Sequence, residues 1–235
     1  MSSFEDLSFA PHDFSGKVRL FPLPNLVLFP HVMQPLHIFE PRYRCLLEDA
    51  LATDRLITMA LLSPGWENDY EGRPPLCPMA CLGRVTTYHC LEDGTYNLLL
   101  LGLQRVRLVR EFEPRTLYRE AEVTLCEDYY PVCPKPAGHV LQQRLRDAFV
   151  RILPLLSEAQ EQMDQLLASD ISLGVLTDVI SFMLEIDIGH KETLLAEVNV
   201  HRRAQMLLEH LEAIALGQAG QSCAAGVFPP RFSVN

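Results

Sequence analysis

Short apolar runs separated by prolines dominate the first half of the chain. They occupy Lys17–Phe21, Leu26–Phe29, Met33–Phe39 and Leu56–Leu62. Runs of this length, rich in aliphatic and aromatic residues, are typical of β-strands. Proline has no N–H to donate to a ladder, so the prolines between and within these runs are expected at sheet edges or bends. The pattern predicts a curled sheet rather than a flat one.

The clearest turn signal in the chain is Asp93-Gly94. It lies between two strand-like runs, Gly83–Cys90 and Thr95–Leu101, and therefore predicts a β-hairpin. Gly102 allows a bend or a bulge, after which Leu103–Val109 alternates between apolar and polar residues. A further alternating run, at residues 118–126, predicts one more strand.

One helix interrupts this strand-rich region. Pro41 suits the first helical turn. Apolar positions then follow the i, i+3, i+4, i+7, i+8 spacing of one buried helical face: Tyr43, Leu46, Leu47, Ala50 and Leu51. The spacing predicts a helix that begins near residue 41 and packs on the sheet.

A proline-rich linker at residues 131–136 precedes a change of period to 3.6. The second part of the chain is expected to be helical, with Ser157 and Gln160 as a capping box, a short turn near His190–Glu197, and Asn199 as the cap of the last helix. Strands first and helices afterwards predict the α+β class. We expect a flexible arm at residues 1–16, a β-rich subdomain at 17–130, a helical subdomain at 131–216, and a flexible tail at 217–235.

Composition places the chain among globular proteins. Of its 235 residues, 48% are hydrophobic and 21% are charged. The formal net charge of −10 disfavours a surface that neutralises phosphates. No apolar run reaches the roughly 18 residues that a membrane span needs, and the first residues lack the features of a targeting peptide. Seven cysteines without a C-x-x-C step favour reduced thiols, so we expect a cytoplasmic protein.

Several kinds of catalytic chemistry find no support in the sequence. The single Gly-Lys step, Gly16-Lys17, lacks the rest of a phosphate-binding P-loop, and no lysine stands in an S-x-x-K step. Cys77, Cys81 and the adjacent His89-Cys90 fit no structural zinc spacing. We therefore expect no metal and no cofactor. A hydrolase whose cysteine or serine meets a distant histidine stays open as a weaker hypothesis.

An RNA-binding module is the main alternative. Arg105 and Arg107 are expected to share one face of a strand, where they would form a small basic platform. Acidic residues interleave with these arginines at Glu111, Glu113, Glu120 and Glu122. A solvated surface of mixed charge is the stronger interpretation, so nucleic acid is a disfavoured partner.

Two segments near the N-terminus carry a family likeness. Residues 19–30, Arg-Leu-Phe-Pro-Leu-Pro-Asn-Leu-Val-Leu-Phe-Pro, and residues 35–44, Pro-Leu-His-Ile-Phe-Glu-Pro-Arg-Tyr-Arg, resemble the N-terminal, substrate-binding domain of Lon proteases. Gly83–Val109 is similar to the hairpin of that domain, and Leu173–Leu211 to its C-terminal part. The resemblance covers residues 17–212.

This resemblance implies both a fold and a role. The fold is a PUA-like, β-rich curled sheet followed by a helical bundle. The role is to bind unfolded or extended polypeptide segments or a protein partner. The ATPase and Ser–Lys peptidase domains of a full-length Lon protease have no counterpart in this sequence. We therefore predict a non-enzymatic module of protein quality control, which would act with a protease supplied by another chain.

Candidate binding residues come from two places. The loop at Ser63–Pro78 contains Trp66 and Tyr70, which would serve as aromatic anchors, although Trp66 would equally well fold back over the sheet. The helix-entry motif that resembles the family contains Glu40, Arg42 and Arg44. Glu40 and Arg42 would orient a bound chain, but local capping and ion pairing is the favoured interpretation of these side chains. Unpaired strand edges would add backbone hydrogen bonds to a bound chain.

Overall fold

The computed structural model describes residues 9, 11–68, 72–132, 137–152, 171–217 and 233–234. It divides into two compact units, Met1–Glu127 with Phe232–Asn235, and Asp128–Arg231. We call them the barrel unit and the helical unit. The first is built of strands and the second of helices, which confirms the α+β class. The domain boundaries expected from the sequence stay a prediction.

The barrel unit contains seven described strands and one α-helix, α1 (Pro41–Leu51). The strands are β1 (Lys17–Leu23), β2 (Met33–Ile38), β3 (Leu56–Leu62), β4 (Leu76–Cys90), β5 (Tyr96–Glu111), β6 (Arg119–Cys126) and β7 (Ser233–Val234). Their order is β4-β3-β1-β6-β5-β2-β7, and β4 also pairs with β5. That extra pairing closes β4, β3, β1, β6 and β5 into a ring, which confirms the predicted curled sheet.

The interior of the ring is apolar. Its core cluster consists of nine buried residues from five strands: Val18, Leu20, Leu56, Ala60, Ala80, Leu82, Val106, Ala121 and Val123. Phe9 and Phe14 pack against this cluster from the segment where the sequence predicts a flexible arm. Their rings meet edge to face at 5.7 Å. In its described part, this segment is therefore attached to the core.

The predicted hairpin is confirmed, and it is longer than expected. β4 and β5 pair from Met79 opposite Arg107 to Cys90 opposite Tyr96. Gly94 has a φ of 78°, as the turn requires. Gly102 does not end β5. An added Cβ at this position would lie 2.0 Å from the carbonyl oxygen of Phe29, so glycine is needed for a close backbone approach.

Leu26–Phe29 was expected to be a strand, and this expectation is wrong. The structure shows an irregular segment there, although Val27, Leu28 and Phe29 are buried. The carbonyl of Phe29 lies against Gly102, and Pro24 and Pro30 bracket the segment. The apolar residues of this segment are therefore explained by burial, and they need no strand pairing.

The helical unit contains four described helices: α2 (Ala137–Ile152), α3 (Leu173–Met183), α4 (Ile188–Ala196) and α5 (Val200–Gly217). The predicted cap of α5 is confirmed, because Asn199 Oδ1 accepts from the amide of His201 at 3.1 Å. The short turn predicted near His190–Glu197 is wrong, since α4 begins there with Asp187 as its N-cap. The capping box at Ser157 and Gln160 lies outside the described residues.

A fully buried arginine, Arg203, connects three parts of the helical unit. Its Nη1 and Nη2 donate to the two carboxylate oxygens of Asp128 at 3.0 and 2.7 Å. Its Nε donates to Thr177 Oγ1 at 2.8 Å, and Nη1 also donates to the Glu197 carbonyl at 2.7 Å. The equally buried Asp178 lies 3.5 Å away. Each guanidinium nitrogen therefore has an acceptor, as a buried charge requires.

None of the described helices combines the length and the apolar character that crossing a membrane takes.

Candidate binding site

A cleft of about 480 Å³ opens in the barrel unit beside the first turn of α1. Four segments that are distant in sequence line it: the end of β1, the entry to α1, the loop before β4, and the loop between β5 and β6. The fold of the barrel unit brings these segments together. This cleft is the candidate site.

The entry to α1 forms one wall of the cleft. Glu40 is the N-cap residue and Pro41 follows it in the first turn, so the helix begins at this point. The Glu40 carboxylate does not cap the helix by a hydrogen bond. It accepts instead from Arg42 Nε at 2.8 Å. Of the local roles expected for this pair, the structure shows the ion pairing and not the side-chain cap.

Arg42 is held in place from a second side by Tyr43. The guanidinium carbon of Arg42 lies 4.7 Å from the centre of the Tyr43 ring, within the range of a cation–π contact. Tyr43 itself is buried, and its hydroxyl donates to the Pro22 carbonyl at 3.1 Å. About a quarter of the Arg42 side chain is exposed. The charged group is therefore oriented and still accessible from the cleft.

Two further arginines, Arg119 and Arg73, also line the cleft. Arg119 Nε donates to Glu111 at 2.7 Å and Arg73 Nη2 donates to the same carboxylate at 3.1 Å. Burial raises the pKa of the Glu111 carboxyl, but the hydrogen bonds and charges of Arg119 and Arg73 outweigh it and hold the pKa below the usual range. The described lining of the cleft thus contains three guanidinium groups and one carboxylate, that of Glu40, while Glu111 pairs with Arg119 and Arg73 without lining the cleft.

The cleft lining also includes apolar surface. Leu117 is 71% exposed, so its apolar side chain is accessible at the cleft. Its neighbour Tyr118 is buried, and the Tyr118 hydroxyl donates to Asp49 at 2.7 Å. Burial, together with this carboxylate, raises the pKa of Tyr118. Tyr118 therefore stays neutral and anchors the loop that presents Leu117.

The structure brings together only some of the residues named from the sequence. Glu40 and Arg42 line the cleft, whereas Arg44 and Trp66 do not. Arg44 lies near the hairpin turn, where an added Cβ on Gly94 would be 3.8 Å from its Nη1. Trp66 is partly buried in a single 3₁₀ turn, Trp66–Asn68. Tyr70 lies outside the described residues.

Sequence reasoning missed the cleft residues that come from loops. Leu117 precedes the alternating run that begins at residue 118, Arg119 lies at the start of that run, and Arg73 lies in a proline-rich loop. The one local sign of an exposed apolar residue was that Leu117, a large apolar residue, stands between polar neighbours. Its exposure cannot be told from sequence, because exposure depends on the packing of other segments.

The residue types that line the cleft indicate which chemistry it can support. Among the described lining residues of the cleft none is serine, cysteine or histidine, so the cleft presents no Ser–His or Cys–His pair. Nor do the described residues contain a group of three or more His, Cys, Asp or Glu side chains placed to hold a metal ion. Hydrogen-bond donors and exposed apolar surface suit an extended chain with carbonyl or carboxylate groups.

The prediction that Arg105 and Arg107 form a basic platform for RNA is wrong. Arg105 is only 2% exposed, while Arg107 is at the surface. The two side chains therefore do not present a common basic face to solvent. The structure removes the sequence observation on which the RNA-binding alternative depended.

A second cleft, of about 500 Å³, lies in the helical unit. Ile186, Leu194 and Met206 contribute apolar surface, and His190 and His210 line it with their rings 6.0 Å apart. Burial, followed by the neighbouring His190, lowers the pKa of His210. We assign no ligand to this cleft.

Comparison with known proteins agrees with this architecture. The chain resembles the solved N-terminal domain of a Mycobacterium avium complex Lon protease with a TM-score of 0.66, at 15% identity, over 83% of this chain and 98% of that domain. That identity supports the fold alone. The chain also resembles the Lon N-terminal domain protein from Xanthomonas campestris, with a TM-score of 0.60 and 25% identity. The match covers 82% of this chain and 97% of that protein.

Full-length relatives match as well. Lon protease 1 of Bdellovibrio bacteriovorus is 27% identical over 200 residues, which cover 85% of this chain and 25% of that protein. Lon protease 2 of Myxococcus xanthus is 27% identical over 202 residues, covering 85% and 24%. The chain therefore spans about a quarter of the length of these curated relatives.

A family model for the ATP-dependent protease La (LON) substrate-binding domain matches residues 17–213. This range coincides closely with the resemblance found from the sequence, which is thereby confirmed. The chain belongs to the family of LON substrate-binding domains.

Proposed function

We propose that the chain binds extended polypeptide segments in the cleft beside α1 and performs no chemistry on them. The observation that carries this proposal is that the exposed Leu117 lines the same cleft as the paired guanidinium groups of Arg42, Arg73 and Arg119. An apolar anchor surrounded by polar donors is the usual composition of a protein-binding surface. Family membership supports polypeptides as the class of ligand.

Binding to an unfolded polypeptide tests the proposal. A labelled, reduced and carboxymethylated protein is titrated with the chain, and its native form serves as the folded control. We expect preference for the unfolded form. Leu117→Asp should weaken this binding at least tenfold, because it removes an apolar anchor and adds a charge in the cleft. Its own exposure means that the change leaves folding intact.

Val109→Asp is the matched control. Val109 is 54% exposed in the same unit and does not line the cleft, so its replacement should leave affinity unchanged. Equal loss of binding in both variants would indicate a general charge effect and contradict the cleft. Equal, negligible affinity for the unfolded and native forms would remove the proposed function.

The adaptor role is the finer part of the proposal. The chain would hold a client for a protease on another polypeptide, without nucleotide and without cleavage. Incubation with casein and ATP should therefore leave the casein intact. Degradation by the purified chain, abolished by one substitution in it, would overturn the non-enzymatic assignment. In the presence of a purified ATP-dependent protease, the unchanged chain should accelerate loss of the client relative to the protease alone. A chain with an altered cleft should not.

A further inference from the structure

The strand β2 has different partners on its two edges. On one edge it pairs antiparallel with β5, from Met33 opposite Leu101 to Ile38 opposite Tyr96. On the other edge it pairs in parallel with β7, with Leu36 opposite Ser233 and His37 opposite Val234. We call this second edge the outer edge. A short segment from far along the same chain therefore occupies it.

The hydrogen bonds beside β2 show which backbone groups face the outer edge. The amide of Gly102 in β5 donates to the carbonyl of Val32 at 2.9 Å. Successive residues of a strand direct their N–H and C=O groups to opposite edges. The even-numbered residues of β2 therefore face β5, and the backbone groups of Pro35 and His37 face the outer edge.

Pro35 limits how much of a strand can add there. Proline has no N–H, so at this position the outer edge offers a carbonyl alone. In the parallel register, the N–H of Ser233 faces the Pro35 carbonyl, and the carbonyl of Ser233 faces the His37 N–H. A short added strand uses these groups, while the proline prevents the long, flat pairing that leads to aggregation.

The carbonyl of Pro35 is also held in place from within the barrel unit. The side chain of Gln34 is almost fully buried, and its Nε2 donates to the Pro35 carbonyl at 2.8 Å. The acceptor at the outer edge is thus fixed by a side chain before any strand is added. Such preorganisation reduces the entropic cost of binding an extended segment.

We propose that the outer edge of β2 is a strand-addition site for extended polypeptide segments, and that β7 is an intramolecular occupant that competes with them. The inference rests on the proposed function, because it names a second contact for the same class of ligand. The ligand adds parallel to β2, donating one N–H to Pro35 and accepting one hydrogen bond from His37. Main-chain bonds of this kind provide affinity with little dependence on sequence.

The competition has a size that can be estimated. A segment tethered to its own site acts at an effective concentration of about 1 mM. If the free segment binds with a dissociation constant of about 0.1 mM, the tether lowers the apparent affinity of an outside ligand about tenfold. Release of β7 should raise the affinity for outside ligands by the same factor.

Two proline variants of the full chain provide a matched test. Ser233→Pro removes the N–H that faces Pro35, whereas Val234→Pro removes an N–H that alternation directs away from β2. The probe is a fluorescent peptide with the sequence of residues 228–235, followed by anisotropy. We expect the Ser233→Pro chain to bind it about tenfold more tightly than the unchanged chain and the Val234→Pro chain.

The peptide is modified in the same way. Methylation of the Ser233 nitrogen should abolish its binding to the Ser233→Pro chain, and methylation of the Val234 nitrogen should not. Equal affinity of the three chains for the peptide would overturn the proposal, as would equal binding of the two methylated peptides. Amide exchange at His37 provides a second measurement, since it should be faster in the Ser233→Pro chain alone.

The outcome is separable from that of the cleft experiment. Leu117→Asp should leave binding of the 228–235 peptide unchanged, because the cleft lining and the outer edge share no residue. If the three chains bind the peptide equally while Leu117→Asp still weakens binding of unfolded polypeptide, only the strand-addition site is rejected. A cleft variant without effect on unfolded polypeptide rejects the proposed function, whatever the peptide shows.

Discussion

Arg42 and Arg203 are both paired with carboxylates, yet their surroundings differ in one decisive respect. Arg203 is fully buried, and each of its guanidinium nitrogens has a described acceptor. Arg42 pairs with Glu40, packs on Tyr43, and keeps about a quarter of its side chain exposed. A saturated, buried arginine connects parts of a unit, whereas an oriented, exposed one can meet a ligand. Ion pairing alone therefore does not tell the two roles apart.

The largest effect is expected for Arg203→Met. The change removes the buried guanidinium group that pairs with Asp128 and lies against the buried Asp178, and breaking a buried pair costs about 3–5 kcal/mol. Calorimetry and urea unfolding followed by circular dichroism would measure the loss in the helical unit. Arg202→Met is the control, because Arg202 is largely exposed and its pair with Glu197 contributes little. Similar losses in both variants would contradict a structural role for the cluster.

A smaller effect is expected for Gly174→Ala. The added Cβ would lie 2.4 Å from Asp128 Oδ2 and 2.5 Å from the Tyr130 hydroxyl, so the carboxylate that pairs with Arg203 and the hydroxyl must both shift. Alanine normally stabilises a helix relative to glycine, but here we expect a loss of about 1–3 kcal/mol. Thermal unfolding is the measurement.

Gly138→Ala is the matched helical control for that substitution. Its Cβ would come no closer than 3.7 Å to His201. It should be neutral or stabilise the protein by a few tenths of a kcal/mol. Stabilisation by both alanines would show that the carboxylate cluster tolerates displacement.

A pH-dependent effect is expected for Glu111→Gln in the barrel unit. The pKa of Glu111 is lowered in the folded protein, so its charged form stabilises the fold above the ordinary value of about 4.3. That contribution is lost as the pH falls through the lowered pKa. The variant should be less stable at pH 7 by under about 1 kcal/mol, since the group is partly exposed. Denaturant unfolding between pH 3 and 7 should show the difference closing toward acid; a constant gap would contradict this linkage.

The smallest effect on stability is expected for Arg42→Met. Its stem still packs on Tyr43, and a partly exposed pair with Glu40 contributes about 0–1 kcal/mol. Chemical denaturation should therefore detect little change. Binding of unfolded polypeptide should weaken and lose part of its dependence on salt. If Arg42→Met unfolded as readily as Arg203→Met, the two arginines would not differ in their contribution to stability, which would contradict the comparison.

Features that depend on neighbouring residues could be predicted from the sequence. The helix after Pro41, the Asp93-Gly94 turn and the Asn199 cap were predicted correctly, because each is decided by backbone preferences over a few positions. The apolar spacing of α1 also identified Tyr43 as a core residue. The failures at residues 26–29 and 190–197 came from apolar or mixed stretches in which local preference is weak.

The amino-acid sequence by itself determined the α+β class, the helix entry with Glu40 and Arg42, and the likeness to the LON substrate-binding domain, since these reside in local pattern and motif. The tertiary structure alone decided that Leu117 and Arg119 meet that helix entry, that Arg105 is buried, and that β7 adds to β2. Burial and strand pairing are properties of segments far apart along the chain. They come into existence only when those segments pack against one another.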